Sequence, residues 1–178
     1  MKCLLLAALC VLMTGVLLPR AGCARPAPER LLPTLPTNPY AIVKRMPHDR
    51  TLFTQGLVID RGELIESGGN YGESRLLLRT LADPRPLRTR RLPARWFAEG
   101  ITVHGGKLYL LTWREGLMQR LSLPELEPEQ RFGYSGEGWG LASDGTHLIQ
   151  SDGSATLRWR SPDDFSELRR LTVRVGNE

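Results

Sequence analysis

The chain has 178 residues, the length of one ordinary domain. Hydrophobic residues make up 41% and charged residues 24% of the sequence, a balance that excludes whole-chain disorder, a collagen-like fibre and a polytopic membrane protein. The formal charge of +5 comes almost entirely from arginines scattered along the chain, because Lys2, Lys44 and Lys107 are its only lysines. Such scatter is typical of a solvated surface, so we expect no nucleic-acid partner.

Residues 1–24 have the pattern of a secretory signal, with Lys2 before an apolar run over residues 3–18. This run is shorter than the roughly 20 residues that a membrane-spanning helix needs. We therefore expect cleavage, export to the periplasm or the medium, and no stable membrane insertion. A lipid on Cys23 is the alternative, because Ala21-Gly22-Cys23 resembles a bacterial lipobox, although Arg20 stands where that motif has leucine.

The remaining chain divides into a linker and one folded domain. Residues 25–39 contain five prolines and predict an extended linker, so the domain is expected over residues 40–178. All three cysteines, at positions 3, 10 and 23, precede that domain. We expect it to have neither a disulfide nor a thiolate metal site.

Short apolar runs separated by Gly, Asp and Pro indicate an all-β domain, since no long amphipathic helical pattern is present. A hairpin turn is predicted at Asp152-Gly153-Ser154. The clearest strand patterns are Gly56–Ile59, Lys107–Trp113, His147–Ser151 and Thr156–Trp159.

A repeat indicates the architecture. Repeats start near residues 55, 99 and 139, each with a glycine (Gly56, Gly100, Gly140) followed eight residues later by a leucine (Leu64, Leu108, Leu148). The spacings of 44 and 40 residues are typical of β-propeller blades, and the shared leucine register disfavours a chance alignment. Because a propeller closes with four to eight blades, we expect a fragment of a longer ring rather than an unusual association of such chains.

The residue before each repeat glycine is expected to face the central channel, which brings together Gln55, Glu99 and Trp139. Glu99 follows Trp96-Phe97-Ala98, and apolar surroundings raise the pKa of a carboxyl group. Glu99 is therefore a candidate general acid and base. The alternative is a glutamate paired with a backbone amide or with an arginine.

The tryptophans and histidines suggest a pocket without a metal. Trp113 and Trp139 would form apolar walls near the axis, although packing between blades is the alternative for each. Trp96 and Trp159 are predicted to lie in the core. The histidines, His48, His104 and His147, lack the spacing of metal ligands, so no metal site is predicted.

Five arginines lie between the first two repeats, interrupted by prolines. We expect an exposed connection between blades, and it is the place in the sequence where an anionic partner would bind. The five are Arg85, Arg88, Arg90, Arg91 and Arg95.

Six short motifs carry a family resemblance, in this order: Phe53-Thr54-Gln55-Gly56-Leu57, Asn70-Tyr71-Gly72-Glu73-Ser74, Phe97-Ala98-Glu99-Gly100-Ile101-Thr102, Leu111-Thr112-Trp113, Glu137-Gly138-Trp139-Gly140-Leu141 and Ser151-Asp152-Gly153-Ser154. Their order and spacing resemble the plant and bacterial type of glutaminyl cyclase, the glutaminyl-peptide cyclotransferases. The resemblance implies a five-bladed propeller, of which the chain covers about three blades and ends early, before a later Asn-containing motif.

The resemblance also implies an enzyme that converts the N-terminal glutamine of peptides or proteins into pyroglutamate with release of ammonia, without a metal or other cofactor. Glu99 would be the acid and base, and Gln55 would help hold the substrate. Trp113 and Trp139 would wall the pocket, with Glu137 as a positioning carboxylate. The alternative, from another class, is an exported propeller that only binds partners, with Glu99 as a hydrogen-bonded channel residue.

Overall fold

The computed structural model describes residues 39–174. This part of the chain has twelve strands and no helix, so the all-β prediction is confirmed, and it contains no helix able to span a bilayer. The predicted signal and nearly all of the predicted linker lie outside the described residues.

The strands form three four-stranded antiparallel sheets in the described range, and within each sheet neighbouring strands are consecutive in sequence. Sheet 1 contains β1 (Thr54–Asp60), β2 (Glu63–Gly68), β3 (Arg75–Thr80) and β4 (Arg88–Arg91). Sheet 2 contains β5 (Ala98–His104), β6 (Lys107–Thr112), β7 (Leu117–Ser122) and β8 (Pro128–Gly133). Sheet 3 contains β9 (Leu141–Ser143), β10 (Leu148–Gln150), β11 (Thr156–Arg160) and β12 (Glu167–Thr172). Such meanders are the form of propeller blades.

Sheet 2 has a hydrophobic core on each face because successive side chains of a strand point to opposite sides. In β6, Leu108 and Leu110 pack with residues of sheet 1, whereas Tyr109 and Leu111 pack toward Leu148 of sheet 3. All three repeat leucines are buried, which agrees with the register read from the sequence.

Two sequence interpretations need correction. The arginine cluster is not merely a connection, because Arg88–Arg91 form β4, whose arginine-rich sequence gave no apolar strand signal. Trp159 is not a core residue: it is half-buried, donates its indole N–H to Asp144 Oδ2 at 3.0 Å, and stacks against Arg169. Trp96, by contrast, is buried as predicted. The predicted turn at 152–154 does join the antiparallel strands β10 and β11.

The repeat glycines allow the innermost strands to approach each other. A Cβ on Gly100 would lie 2.4 Å from the carbonyl oxygen of Trp139, a distance at which backbone would have to move. The Gly100 amide instead donates to that oxygen at 2.8 Å. Glycine is therefore required here by backbone contact between sheets 2 and 3.

Candidate active site

Two polar side chains from neighbouring innermost strands are in direct contact. Gln55 is the second residue of β1 and Glu99 the second residue of β5, so they occupy equivalent positions in two repeats. Gln55 Nε2 donates a hydrogen bond to Glu99 Oε1 at 3.1 Å. The sheet packing thus joins an amide and a carboxyl group that are 44 residues apart in sequence.

These side chains open into a cavity of about 460 Å³, a size suited to a small ligand or a peptide end. Four residues predicted from the sequence line it together. Glu137 lies behind the tryptophans rather than on the cavity wall. The lining residues are Phe53, Gln55, Asn70, Phe97, Glu99, Trp113 and Trp139.

The backbone around Glu99 is fixed by the sheets on both sides. Ser67 of β2 donates its hydroxyl hydrogen to the Glu99 carbonyl oxygen at 2.6 Å. The next amide, that of Gly100, is bonded to Trp139. Sheet 1 and the segment before β9 therefore both hold this point of β5, which leaves the Glu99 side chain little freedom to move away from the cavity.

The surroundings of Glu99 favour its neutral form. Burial raises its pKa to about 7, and the negative charges of Glu137 and Glu115 add to the effect. This is the direction expected from the aromatic sequence around Glu99. Glu99 accepts a hydrogen bond from the side-chain amide of Gln55. The alternatives considered from the sequence were a backbone amide and an arginine.

Glu137 connects the two cavity tryptophans. Its Oε2 accepts the indole N–H of Trp113 at 2.8 Å and that of Trp139 at 2.9 Å. Arg114 donates to Oε1 at 3.1 Å and stacks over the Trp113 ring at 3.7 Å. These donors hold the pKa of Glu137 below its ordinary value, with the bonds from Trp139 and Trp113 as the largest causes. Glu137 thus remains an anion that fixes both indole planes.

Phe97 is the centre of the aromatic wall. Its ring meets the edges of Phe53, Tyr71 and Trp113, with centroid distances of 6.3, 5.4 and 5.3 Å. Edge-to-face contacts of this kind stabilise a fixed ring arrangement beyond the area they bury. Phe53, Phe97 and Trp113 thereby give the cavity that Glu99 also lines an apolar aromatic side.

Sequence reasoning did not place Phe53, Phe97 or Asn70 on the cavity wall, although Phe97 was counted among the apolar surroundings of Glu99. The phenylalanines had a signal, because each stands two residues before Gln55 or Glu99, and alternating positions share a face of the strand. Asn70 had no such sequence signal, because it lies in a turn after β2, where its φ is 78°. Its place on the cavity depends on that turn.

The histidines lie elsewhere, each with a polar neighbour. His48 bonds Glu66 at 2.6 Å, His104 bonds Ser143 at 2.9 Å, and His147 lies 3.5 Å from Asp144. Between residues 39 and 174 no cluster of three or more His, Cys, Asp or Glu side chains is arranged to hold a metal ion. The chemistry that the cavity itself offers is proton transfer at Glu99 within an aromatic enclosure.

Comparison with known proteins gives a family match. The model of the glutamine cyclotransferase family matches residues 12–178. A glutaminyl-peptide cyclotransferase of Arabidopsis thaliana is 32% identical over 141 residues, which are 78% of this chain and 44% of that protein. This chain therefore spans less than half the length of that relative.

Solved structures also match this chain. The crystal structure of Myxococcus xanthus glutaminyl cyclase matches with a TM-score of 0.70 and 37% identity, covering 75% of this chain and 56% of that one. The WD40 domain of Neurospora crassa Pan2 matches with a TM-score of 0.56 at 8% identity over 67% of this chain and 36% of that one, a likeness of fold alone. The prediction of a propeller-type fold is confirmed by these matches.

Proposed function

Because the chain belongs to the glutamine cyclotransferase family, we propose that the protein cyclises the N-terminal glutamine of peptides and proteins to pyroglutamate and releases ammonia. The observation that supports this most directly is the hydrogen-bonded pair of Gln55 and Glu99 in an aromatic cavity. One proton-transferring group in a rigid, mostly apolar site is what this intramolecular reaction requires.

The reaction joins two groups of one residue. The α-amino nitrogen attacks the γ-carbonyl carbon, a C–N bond closes the five-membered ring, and the C–N bond to the carboxamide nitrogen breaks. One proton leaves the attacking amine and one proton reaches the departing nitrogen, which leaves as ammonia. No nucleophilic side chain is consumed, so the protein has to orient the chain end and carry a proton.

Glu99 is the proposed proton carrier. A carboxyl group with a pKa of about 7 is present in both forms near neutral pH. Its carboxylate accepts the proton from the attacking amine, and the resulting acid delivers a proton to the leaving nitrogen. A carboxyl group of ordinary pKa would be a weaker base for the amine and too rarely protonated to be an effective acid.

Gln55, Trp113 and Trp139 are the proposed substrate-binding residues. Both indole N–H groups are bonded to Glu137, so the tryptophans offer flat apolar faces to the substrate rather than hydrogen bonds. Such faces suit the planar carboxamide of glutamine. Glu137 is proposed to act through the two indoles as a positioning residue.

The activity is tested by incubating the purified protein with peptides that begin Gln-Ala and following ammonia release and pyroglutamate formation by mass spectrometry. Turnover of the glutamine peptide, with none of a matched peptide beginning Asn-Ala, is the expected result, because the asparagine chain is one carbon too short for this ring. Equal ammonia release from both peptides, or from neither, would contradict the proposal.

We also propose export of the protein through cleavage of residues 1–24, supported by Lys2 and the apolar run after it. N-terminal sequencing of the mature protein from its native host tests this. A mature chain that begins near residue 25 is expected. Incorporation of labelled fatty acid that a Cys23→Ser variant abolishes would replace simple cleavage with lipid attachment at Cys23.

A further inference from the structure

The turn after β2 places a third polar side chain on the wall of the active-site cavity. Gln55 and Glu99 are bonded to each other, and the two indole N–H groups of the cavity are bonded to Glu137. Of the seven lining residues, Asn70 is the other one with a polar side chain. Its hydrogen bonds within the described residues all run to its backbone carbonyl oxygen, so its carboxamide has no partner there.

The turn that carries Asn70 is tied to the strand that carries Glu99. The Asn70 carbonyl oxygen accepts the amide of Glu73 at 3.1 Å and the hydroxyl of Ser74 at 2.9 Å. The Ser74 oxygen in turn accepts the amide of Ala98, the residue before Glu99, at 3.0 Å. Ser74 is 3% exposed, so this bridge is shielded from water. The turn is therefore held in a fixed position relative to Glu99.

The residue before Asn70 packs directly on the cavity wall. The amide of Gly69 donates to the carbonyl oxygen of Phe53 at 2.8 Å. A Cβ on Gly69 would lie 2.4 Å from the Phe97 ring and 3.0 Å from Cγ of Gln55, so only glycine allows this approach. The carboxamide of Asn70 thus belongs to a turn that closes on the cavity beside Gln55.

We propose that Asn70 binds the main chain of the residue that follows glutamine in the substrate. Its Oδ1 accepts the N–H of that second residue, and its Nδ2 donates to the carbonyl oxygen of the same residue. A side-chain carboxamide offers one acceptor and donors side by side, and the N–H and carbonyl of an extended residue form the matching pair.

This assignment rests on the proposed cyclisation, in which Glu99 serves the α-amino group and the departing nitrogen. Both of those groups belong to the glutamine itself. The second residue supplies the first N–H beyond it, and Asn70 is the polar lining residue that is not already paired. Asn70 therefore favours the end of a peptide over free glutamine, which has no second residue.

The test measures affinity in the Glu99→Gln variant, in which turnover is expected to be too slow to disturb binding. The probes are Gln-Ala amide and its ester analogue, in which oxygen replaces the N–H of the second residue. Calorimetry is expected to show about tenfold tighter binding of the peptide, the size of one hydrogen bond. Equal affinities, or no binding of either probe, would overturn the proposal whether or not a further variant folds.

Asn70→Gly, made in the same Glu99→Gln background, removes the carboxamide without straining the backbone, because a φ of 78° suits glycine. We expect about tenfold weaker binding of the peptide and no remaining preference for peptide over ester. Arg61→Gly is the matched control, since Arg61 is exposed, has a φ of 48° and does not line the cavity. An equal preference for peptide over ester in both glycine variants would overturn the proposal.

Failure of the proposed function has a different signature. It would be seen as no ammonia release from a Gln-Ala peptide by the unchanged protein. The affinities for peptide and ester need no turnover, so they decide the role of Asn70 in either case.

Discussion

Gln55 donates a hydrogen bond to Glu99 across the boundary between sheets 1 and 2, at 3.1 Å from Nε2 to Oε1. A donor to a carboxylate favours its charged form, so this bond opposes the burial that raises the pKa of Glu99. We therefore expect the amide of Gln55 to increase the fraction of Glu99 that is ionised at neutral pH.

Gln55→Leu removes that donor while keeping a side chain of similar volume. The pKa of Glu99 is expected to rise further, which moves the acidic limb of the kcat/KM profile upward by about half to one pH unit. The measurement is the rate of ammonia release from a Gln-Ala peptide between pH 5 and 9. An unchanged acidic limb would contradict an effect of Gln55 on the ionisation of Glu99.

Glu137→Gln is expected to have the opposite effect. The negative charge of Glu137 is one cause of the raised pKa of Glu99, so its removal lowers that pKa and moves the acidic limb downward. Glu125→Gln, at an exposed turn position, is the control for loss of one negative charge. The same downward shift in both variants would assign the effect to net charge instead of to Glu137.

Glu137→Ala also removes the shared acceptor of the Trp113 and Trp139 indoles. The pocket walls are then free to turn, so we expect KM to rise about tenfold with a smaller change in kcat. Tryptophan fluorescence should change as the indole environments relax. Glu137→Gln, which retains an acceptor oxygen, is expected to keep most of the affinity, and a KM as high as that of Glu137→Ala would contradict the positioning role.

The raised pKa of Glu99 links stability to pH. Because the folded-state value of about 7 exceeds the ordinary 4.5, the stability that this group contributes is fully present below pH 4.5 and is lost as pH rises through 7. Glu99→Gln should therefore gain free energy of unfolding relative to the unchanged protein between pH 5 and 8, by about 1 kcal/mol after solvent screening. Urea unfolding at several pH values measures this, and a constant difference would contradict it.

Gly100→Ala tests the close approach of sheets 2 and 3. The added Cβ would meet the Trp139 carbonyl oxygen and the Leu141 amide, both of them backbone atoms. We expect a loss of about 2 kcal/mol or more in the free energy of unfolding. Gly133→Ala is the control, because the nearest atom to its Cβ would be 4.0 Å away. Equal losses would indicate a general cost of alanine in these strands.

Much of this molecule follows from sequence periodicity. The shared register of glycine and leucine predicted three repeated sheets. It also predicted that Gln55, Glu99 and Trp139 meet at one site, because equivalent positions of propeller repeats face the same axis. The outer strands β4 and β12 gave no such signal. Their arginines pair with neighbours or point to solvent, so neither strand shows the apolar alternation that marks a half-buried strand.

The hydrogen bonds within the site could not be predicted from sequence periodicity, because they depend on how separate segments meet in three dimensions. The sequence suggested Glu137 as a positioning group, but not that one of its oxygens accepts both indoles, since this needs two loops to meet. Trp159 was misplaced because a tryptophan in a strand looks like a core residue whether or not its indole N–H reaches a surface carboxylate.

The central claim is that Glu99 carries the proton in the cyclisation. Glu99→Gln keeps the size and the hydrogen-bonding capacity of the side chain while removing its ionisation, so the most direct measurement is its rate of ammonia release from a Gln-Ala peptide beside that of the unchanged protein. We predict a folded variant that binds the peptide with its rate reduced by at least about a hundredfold. Equal rates would contradict the claim, and peptide binding without turnover in both proteins would favour a binding module.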